Sequence, residues 1–388
     1  MARILDFTGD ERALDYYAKA SELKNGDSRA LLYAGDFARL RLGSARRAST
    51  YYTECSEISK THPLSIVAAG HLALMDNNPR RAMSHARSAK KADKNLWEPW
   101  FLSGSIRAIE ILPNGEQNTE FNPRLAAKHF AEAEKRSLSE GAIPRARGVA
   151  LLAAGKLDEA ITDLERAVRI YPKWLDPQID LSEAYLSRGR FHDAAKLMLP
   201  YMIIQHENSD VAFILGAIKF QEGEYSKAYN LLNRARKLDD DHLRAKNWLT
   251  KTLIRMNDFE GAAKNAKFTV KEHPASAYAH SMYAVALTKV DKYEDALAQV
   301  NMALRLRPGW PVALTVKALT TSTNSMRLCQ TAIETEGQWA SPHALLGQQY
   351  LNKAIYDRTN ATFKKAETHL LKALSINSTL VNTRFLLA

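Results

Sequence analysis

The side chains in this sequence that are best suited to chemistry are cationic. Guanidinium and ammonium groups bind carboxylates through charge-assisted hydrogen bonds. A group of polar side chains in the second half of the chain could do this together: Arg244, Asn247, Lys251, Arg255, Tyr278 and Lys289. We expect this group to bind a carboxylate or an acidic segment of a partner, and a solvated charged face is the alternative interpretation.

A second cationic stretch, NPRRAMSHARSAKKADK, occupies residues 78–94 and holds six basic side chains against one acidic. Such a surface attracts anionic partners, including nucleic acid. The stretch has no aromatic residues among its cations, which single-stranded nucleic acid would use for stacking. A solvated outer face is therefore the preferred interpretation. We do not expect nucleic acid as a partner, and RNA binding by the basic surface is kept as the alternative function.

Motifs typical of enzymes are missing from the sequence. It contains no GxxxxGK[ST] phosphate loop, no GxGxxG, no HExxH and no CxxC pair. The run DDDH at residues 239–242 lies in a predicted turn, where we expect its acids to cap the next helix rather than to bind a metal. The sequence therefore predicts no catalytic residue, no metal site and no cofactor.

Composition indicates a helical protein. The chain has 388 residues, of which 46% are hydrophobic, and only 17 are Gly and 13 are Pro. That balance favours helices over a β protein with many turns. The net charge of +11 is the difference between 54 basic and 43 acidic side chains. Because the two signs are mostly interspersed, the charge by itself does not indicate nucleic-acid binding.

The two cysteines, Cys55 and Cys329, lie far apart in the sequence and fit a reducing compartment. No apolar run reaches the roughly 18 residues that a membrane span needs. The first residues, MARILDFTGDERALDYYAKA, lack the apolar core of a signal peptide. We expect a cytoplasmic protein without a membrane span, and a periplasmic location after removal of a leader is the alternative.

A repeat with a period of 34 residues runs through the middle of the chain. Its anchors are small residues: Ala160, Ala194, Ala228, Ala262 and Ala296. Four positions after these come Leu164, Met198, Leu232, Ala266 and Val300. Small residues let two antiparallel helices approach closely, and large neighbours fill the gaps. A period in this range predicts a solenoid of stacked helix pairs.

A turn between the two helices keeps the same period. Its residues are Gly155, Gly189, Gly223, Asn257 and Asp291. Gly and Asn can take the left-handed backbone conformation that ends many helices. Each half of the unit then has room for a helix of about three turns.

This pattern resembles the tetratricopeptide repeat, whose members share six key positions of small and apolar residues. In residues 141–174 these positions are filled by Gly148, Leu151, Ala160, Leu164, Ala167 and Pro172. The resemblance implies an all-α, right-handed superhelical solenoid of stacked antiparallel helix pairs.

The repeat frame divides the chain into five parts. Residues 1–27 form a partial N-terminal repeat, and residues 28–140 form three repeats, the last with a long internal loop at ILPNGEQNTEFN. Residues 141–310 form five regular repeats of 34 residues. Residues 311–380 form two irregular repeats, and residues 381–388 begin a truncated repeat or a capping helix. Because both ends fall inside a repeat, we expect the chain to be a segment of a longer protein.

The resemblance also implies a concave groove lined by the first helix of each pair. The residues that it predicts to bind a partner are Ile179, Glu183, Phe213, Ala217, Phe220, Arg244, Asn247, Lys251, Arg255, Tyr278 and Lys289. The apolar members, Ile179, Phe213, Ala217 and Phe220, would form an exposed strip of the kind that marks a partner site. A helix of the protein itself or an oligomer partner is the alternative occupant.

The function implied by the resemblance is that of a non-catalytic scaffold, which binds a protein or peptide partner within a multiprotein assembly. Similar proteins serve in cell-cycle assemblies such as the anaphase-promoting complex, and in bacterial secretion, exopolysaccharide or pilus apparatus. Some family members hold chaperone tails with Lys at the fifth and Asn at the ninth position of a unit. Here Asn247 and Lys251 stand in the reverse order, which argues against that ligand. A homo-oligomer is an open alternative.

Overall fold

The computed structural model describes residues 1–2, 5–6, 9–23, 27–137, 142–204, 207–321, 324–335, 340–377 and 380–387. These residues form 22 α-helices and one 3-10 helix. Their only β pairing is an isolated bridge between Ile111 and Gln117. The prediction of an all-α fold is confirmed. The chain divides into two compact units, Met1–Asp180 and Leu181–Ala388, and the boundary lies inside a helix.

The first unit contains nine complete helices and the start of a tenth. They are α1 (Ala13–Leu23), α2 (Ser28–Leu40), α3 (Ala45–Ile58), α4 (Pro63–Met75), α5 (Pro79–Ala92), α6 (Glu98–Ala108), α7 (Pro123–Glu134), α8 (Ala142–Ala153), α9 (Leu157–Ile170) and α10 (Leu175–Arg188). Each helix from α1 to α8 packs against the next, and the first helices of successive pairs also touch, as in α2 against α4 and α4 against α6. This is the stacking predicted for a solenoid.

The second unit begins within α10 and repeats the same arrangement. Its other helices are α11 (Phe191–Met198), α12 (Ser209–Gln221), α13 (Tyr225–Leu238), α14 (Leu243–Arg255), α15 (Phe259–Glu272), α16 (Ala277–Lys289), α17 (Tyr293–Leu306), α18 (Pro311–Thr320), α19 (Ser325–Thr335), α20 (Ala340–Asp357), α21 (Asn360–Ile376) and α22 (Val381–Leu387). The first helices α12, α14, α16 and α18 contact one another in series. Among the helices described in both units, none is long and apolar enough to cross a membrane.

The small residues of the repeat are the points of closest packing. All five anchor alanines, from Ala160 to Ala296, have 0% exposure. A Cβ atom placed on Gly148 would lie 2.6 Å from Cγ of Leu164, and one on Gly216 would lie 2.8 Å from Cγ of Leu232. Real Cβ atoms essentially never approach a neighbour so closely, so any larger residue at these two positions would have to displace its neighbours. The predicted packing of small against large residues is confirmed.

The turns inside the repeats adopt left-handed backbone conformations. The φ angles are 77° at Gly155, 81° at Gly189, 82° at Gly223, 61° at Asn257 and 59° at Asp291. The residue after each turn then donates its N–H to a carbonyl five positions back, as Lys156 does to Leu151 at 2.9 Å. These hydrogen bonds satisfy carbonyl groups that the helix end would leave unpaired. The prediction for Gly and Asn is confirmed, and Asp291 behaves in the same way.

Helix α11 and the connection between α6 and α7 depart from the regular repeat. Helix α11 ends at Met198 and continues as a 3-10 helix, Leu199–Ile204. Pro200 has no N–H to donate, so the α-helical hydrogen-bond pattern cannot continue through it. Residues 109–122 connect α6 to α7 without helix, and the predicted long loop is found there. In this loop the amide of Asn118 donates to the carbonyl of Ile106 at 2.7 Å, which holds it on the end of α6.

Candidate functional site

The predicted apolar strip lies mostly inside the protein. In the first unit Ile179 is 4% exposed; in the second unit Phe213 is 1% and Ala217 is 0% exposed. Only Phe220, near the end of α12, is partly exposed. The expectation that all four residues present an apolar surface therefore does not hold for Ile179, Phe213 and Ala217. These three side chains contribute to the core instead.

Phe213 is buried because the next helix pair covers it. The ring of His242 lies 5.2 Å from the Phe213 ring, between centroids, and the indole of Trp248 lies 6.1 Å away at an interplanar angle of 81°. The guanidinium carbon of Arg244 lies 5.1 Å from the centroid of the same ring. Removing a phenyl ring from water stabilises a fold by about 1.5–3 kcal/mol, so this contact joins α12 to α14.

Trp248 also forms the partly exposed surface beside Phe213. Its indole meets the ring of Phe220 edge to face, with 5.4 Å between centroids. Phe220 in turn contacts Tyr225 at 5.5 Å. Three aromatic side chains from α12, α13 and α14 therefore form one continuous surface, in which Phe220 contacts the other two.

Two of the predicted cations lie on this aromatic surface. Nζ of Lys251 is 4.6 Å from the centroid of Trp248 and 5.3 Å from that of Tyr278. Arg255 stacks on Tyr225 at 5.4 Å, and its Nε and Nη2 donate to the Tyr225 hydroxyl at 3.1 and 2.9 Å. We name the surface the cation–aromatic row, and it consists of Phe220, Tyr225, Trp248, Lys251, Arg255 and Tyr278.

Arg244 differs from these cations because its charge is already matched. Its Nη1 donates to Glu183 at 2.7 Å and its Nη2 donates to Asp210 at 2.6 Å. The pKa of Asp210 lies below its usual value because of its hydrogen bond with His242 and the charge of Arg244. The structure thus brings the predicted residues Glu183 and Arg244 together, but as an internal ion pair rather than as a free clamp.

Of the remaining predicted residues, Asn247 is buried and Lys289 is exposed. Asn247 is 2% exposed and belongs to the interior. Lys289 is exposed at the end of α16. In the part of the chain that the structure describes, none of Lys251, Arg255 and Lys289 has a carboxylate within ion-pair distance. These three cations remain available to an acidic ligand.

The run DDDH works as a helix cap, though through its histidine. Nδ1 of His242 accepts the N–H of Ala245 at 3.2 Å at the start of α14. Asp239 accepts the N–H of Asp241 at 3.0 Å within the turn. The expectation that acids cap this helix is therefore wrong, because the side chain that accepts the N–H in the first turn of α14 is the imidazole of His242.

The basic stretch of residues 78–94 contains α5. In the structure the ring of Trp100, which lies outside this stretch in the sequence, contacts one of its lysines. Nζ of Lys90 lies 4.3 Å from the centroid of Trp100, and the guanidinium carbon of Arg136 lies 4.7 Å from it. Burial, followed by the charges of Arg107 and Arg87, lowers the pKa of Lys90 to about 8. The cations therefore converge on one ring, although they are spread along the sequence.

Trp248 and Tyr225 are the two members of the cation–aromatic row that the sequence analysis does not name. The first of them had a signal in the sequence. It stands three positions before Lys251 in a helix, and residues three apart share one helix face. That spacing was a usable signal that an aromatic ring would support the ammonium group. The contacts with Tyr225 and Tyr278 had no such signal, because these residues belong to other helices.

Comparison with protein-family models supports the repeat assignment. A model described as "Tetratricopeptide repeat" matches residues 151–217, and a second model with the same description matches residues 122–173 and 251–311. The stretch 251–311 takes in the end of α14 and the whole of α15, α16 and α17.

Two human proteins resemble parts of the chain. Superkiller complex protein 3 is 31% identical over 245 residues, which are 62% of this chain and 13% of that protein. Anaphase-promoting complex subunit 7 is 22% identical over 214 residues, which are 54% of this chain and 36% of that protein. The chain therefore spans well under half the length of either relative.

Solved structures support the fold. The Cut9–Hcn1 hetero-tetramer of the APC/C contains a chain that aligns with 97% of this one at 12% identity, with a TM-score of 0.51 and 92% of that chain covered. A tetratricopeptide-repeat protein from Parabacteroides merdae aligns with 68% of this chain at 11% identity, also with a TM-score of 0.51 and with 99% of that chain covered. At such identities the likeness concerns the fold alone.

Proposed function

We propose that this chain, which is built from tetratricopeptide repeats, is a non-catalytic scaffold that binds an acidic segment of a protein partner on the cation–aromatic row. The matching family models are both repeat families. Two relatives carry the names of complex subunits, Superkiller complex protein 3 and Anaphase-promoting complex subunit 7. Membership of a multiprotein assembly is the general role that these likenesses favour.

The observation that carries the proposal is the state of Lys251 and Arg255. Both lie on aromatic rings, and in the described chain neither meets a carboxylate. Cations with nearby acids, such as Arg244, are already neutralised. Neither cation has to give up an ion pair to bind a carboxylate, although Arg255 already donates from Nε and Nη2 to the Tyr225 hydroxyl.

The aromatic rings add apolar contact to this charge. Phe220, Trp248 and Tyr278 are each partly exposed, so a partner side chain can cover them. Cation–π contacts contribute about 0.5–2 kcal/mol, depending on how far the cation is removed from water. Because stacking fixes Lys251 and Arg255 before a partner arrives, less conformational freedom is lost on binding. The ligand that fits is an acidic segment with an apolar residue among its carboxylates.

The test is affinity purification from the native source with three charge-reversal variants. Lys251→Glu and Arg255→Glu should each lose the partners that the wild-type chain retains. Lys237→Glu is the matched control, because Lys237 is an exposed lysine at the end of α13 without an ion pair in the described chain. Partners that remain on both row variants would show that the binding surface lies elsewhere. Phe213 is unsuitable as a test position, because its substitution would damage the core.

RNA binding stays as the second candidate, since Lys90 and Arg136 converge on Trp100. It is distinguished by digesting the purified assembly with ribonuclease. Partners that survive digestion and depend on Lys251 support the protein scaffold. A partner set that disappears on digestion and depends on Lys90 supports the RNA function. RNA binding would also weaken steeply as salt is raised.

A further inference from the structure

Cationic side chains from α5, α6 and the end of α7 converge at one place in the first unit. Nζ of Lys90 on α5 lies 4.3 Å from the ring centroid of Trp100 on α6, and the guanidinium carbon of Arg136, just after α7, lies 4.7 Å from it. Arg87 stands three residues before Lys90, and residues three apart share one helix face. We name the group of Arg87, Lys90, Trp100, Arg107 and Arg136 the α5 cation cluster.

The cations of this cluster repel one another, and the repulsion is evident at Lys90. Burial, followed by the charges of Arg107, Arg87 and Arg136, lowers the pKa of its ammonium group to about 8. Burial, then the charges of Lys90 and Arg107, lowers the pKa of the neighbouring His129 to about 4, so this imidazole is neutral at pH 7. Cations held this close destabilise one another unless an anion lies among them.

Two members of the cluster already have a carboxylate. Nη2 of Arg107 lies 3.2 Å from the carboxylate of Glu120. Nη1 of Arg136 lies 3.1 Å from that of Glu132, and its Nε donates to the backbone carbonyl of Lys94 at 2.9 Å. The charges of Arg107 and Arg136 are therefore compensated within the protein.

Lys90 and Arg87 carry the charges that are not compensated. Among the residues that the structure describes, neither side chain has an ion pair or a hydrogen bond. Two other N–H groups of the cluster, Nε1 of Trp100 and Nε of Arg107, are buried without an acceptor in the same part of the chain. The cluster therefore has two uncompensated positive charges and more donors than acceptors.

We propose that the α5 cation cluster binds a phosphorylated serine or threonine of a protein partner, with the phosphate at Lys90 and Arg87. A phosphomonoester carries a charge of about −1.5 to −2 at pH 7 and presents three acceptor oxygens. Its charge matches both uncompensated cations, whereas one carboxylate matches only one of them. The inference rests on the proposed role as a protein scaffold, but it uses a different surface from the cation–aromatic row.

The contacts of Trp100 favour a phosphorylated side chain over RNA as the ligand. Single-stranded RNA binds by stacking its bases on aromatic rings. Lys90 and Arg136 already lie against the Trp100 ring, and the ring of His129 lies 5.9 Å away, between centroids. A base would have to displace these side chains. A phosphate at Lys90 and Arg87 adds acceptors and leaves the ring where it is.

The experiment uses the full chain and three peptides in isothermal titration calorimetry at pH 8. The peptides are Ac-Ala-Gly-X-Gly-Ala-NH2 with phosphoserine, glutamate or serine at X. The phosphoserine peptide should bind at least about tenfold more tightly than the glutamate peptide, because it brings a second negative charge and a third oxygen. Equal binding of these two peptides, or no binding of the phosphoserine peptide, overturns the proposal.

Proton uptake identifies Lys90 as the group that meets the phosphate. Because the pKa of Lys90 is about 8, about half of its ammonium groups are deprotonated at pH 8. A phosphate beside Lys90 raises this pKa, so binding takes up protons and the measured enthalpy depends on the ionisation enthalpy of the buffer. The phosphate contributes little, since its own second pKa is about 6. Lys90→Arg should keep most of the affinity and lose the uptake, and uptake that persists in this variant contradicts a phosphate at Lys90.

Charge-removing variants show whether the cluster is a site or only part of a basic helix. Lys90→Gln and Arg87→Gln should each weaken binding of the phosphoserine peptide by about tenfold. Arg80→Gln is the matched control, because Arg80 is exposed on the same helix and has no ion pair among the described residues. An equal loss in Arg80→Gln would show diffuse attraction and would overturn the proposal. Circular dichroism confirms that each variant is folded.

Two further comparisons separate this proposal from the other candidate functions. Lys251→Gln removes a charge of the cation–aromatic row and should leave the affinity for the phosphoserine peptide unchanged, so the row can fail its own test while this site passes. A single-stranded oligouridine of about ten nucleotides should bind more weakly than the phosphoserine peptide. Tighter binding of the oligouridine that depends on Lys90 would make the cluster an RNA surface instead.

Discussion

Nζ of Lys251 lies 4.6 Å from the ring centroid of Trp248, one helical turn earlier on α14. The ring fixes the ammonium group at the surface of the second unit. In contrast, Arg244 at the start of the same helix is held by the carboxylates of Glu183 and Asp210. One helix therefore carries, at its start, a cation paired with two carboxylates and, near its end, a cation that has no carboxylate within ion-pair distance among the described residues.

Lys251→Gln should weaken binding of the acidic partner by about three- to tenfold and should also reduce its dependence on salt. The reason is that the variant removes one charge contact while leaving the aromatic surface in place. The measurement is the dissociation constant at several salt concentrations, with Lys237→Gln as the control. A variant whose salt dependence equals that of the wild type would contradict a charge contact at Lys251.

Gly148→Ala should destabilise the first unit by about 1–3 kcal/mol, because the added methyl group would overlap Leu164. The cost should shrink in a chain that also carries Leu164→Ala, since the shorter side chain leaves room for the methyl group. A double-mutant cycle of urea unfolding measures this coupling. Additive effects on the free energy of unfolding would mean that residues 148 and 164 do not pack against each other. The same logic applies to Gly216 and Leu232.

The ion pair between Lys246 of α14 and Glu272 of α15 is asymmetric in its burial. The Lys246 side chain is 1% exposed, while that of Glu272 is 29% exposed. Glu272→Gln leaves a buried ammonium group without its carboxylate and should cost about 3 kcal/mol. Lys246→Met leaves a carboxylate that water can reach and should cost less. Thermal or urea unfolding of both variants gives the order, and the reverse order would contradict this account.

His129 should make the protein less stable in mild acid. Burial, then the charges of Lys90 and Arg107, lowers its pKa from 6.5 to about 4. Between these values the unfolded chain takes up a proton that the folded chain does not, so stability falls as the pH falls through this range. The loss of unfolding free energy between pH 7 and pH 5 should be smaller in His129→Gln than in the wild type.

The control for this pH prediction is His192→Gln, because His192 is exposed. That variant should show the same loss of stability as the wild type between pH 7 and pH 5. An equal loss in His129→Gln would show that the His129 imidazole is not kept neutral by its surroundings.

Much of the fold could be predicted because its information is local. The anchors from Ala160 to Ala296 and the turns from Gly155 to Asp291 repeat at a spacing of 34, and each acts on a residue in the same hairpin or the next one. Periodic small residues therefore predict both the helix pairs and their contacts. The early end of α11 also has a local cause, since Pro200 interrupts its hydrogen bonds.

The candidate surface could be predicted only in part. Lys251, Arg255 and Lys289, whose binding of a partner stays a prediction, have no carboxylate within ion-pair distance among the described residues. The apolar side chain of Phe213 is hidden because His242, Arg244 and Trp248 of the following pair cover it. The position of a residue in the repeat indicates on which face of its helix the side chain lies. It does not indicate how large its neighbours on the next helix are, and those neighbours decide exposure.

The sequence by itself determined the helix pairs, their turns and the small residues at which they meet, because these depend on spacing within one or two repeats. Only the tertiary structure decided which charges are paired and which donors are left over. Arg41 contacts Trp174, although most of the first unit separates them in the sequence. Lys90 of α5 contacts Trp100 of α6. Such contacts depend on how successive pairs turn relative to one another, and small differences in packing at each step accumulate along the chain.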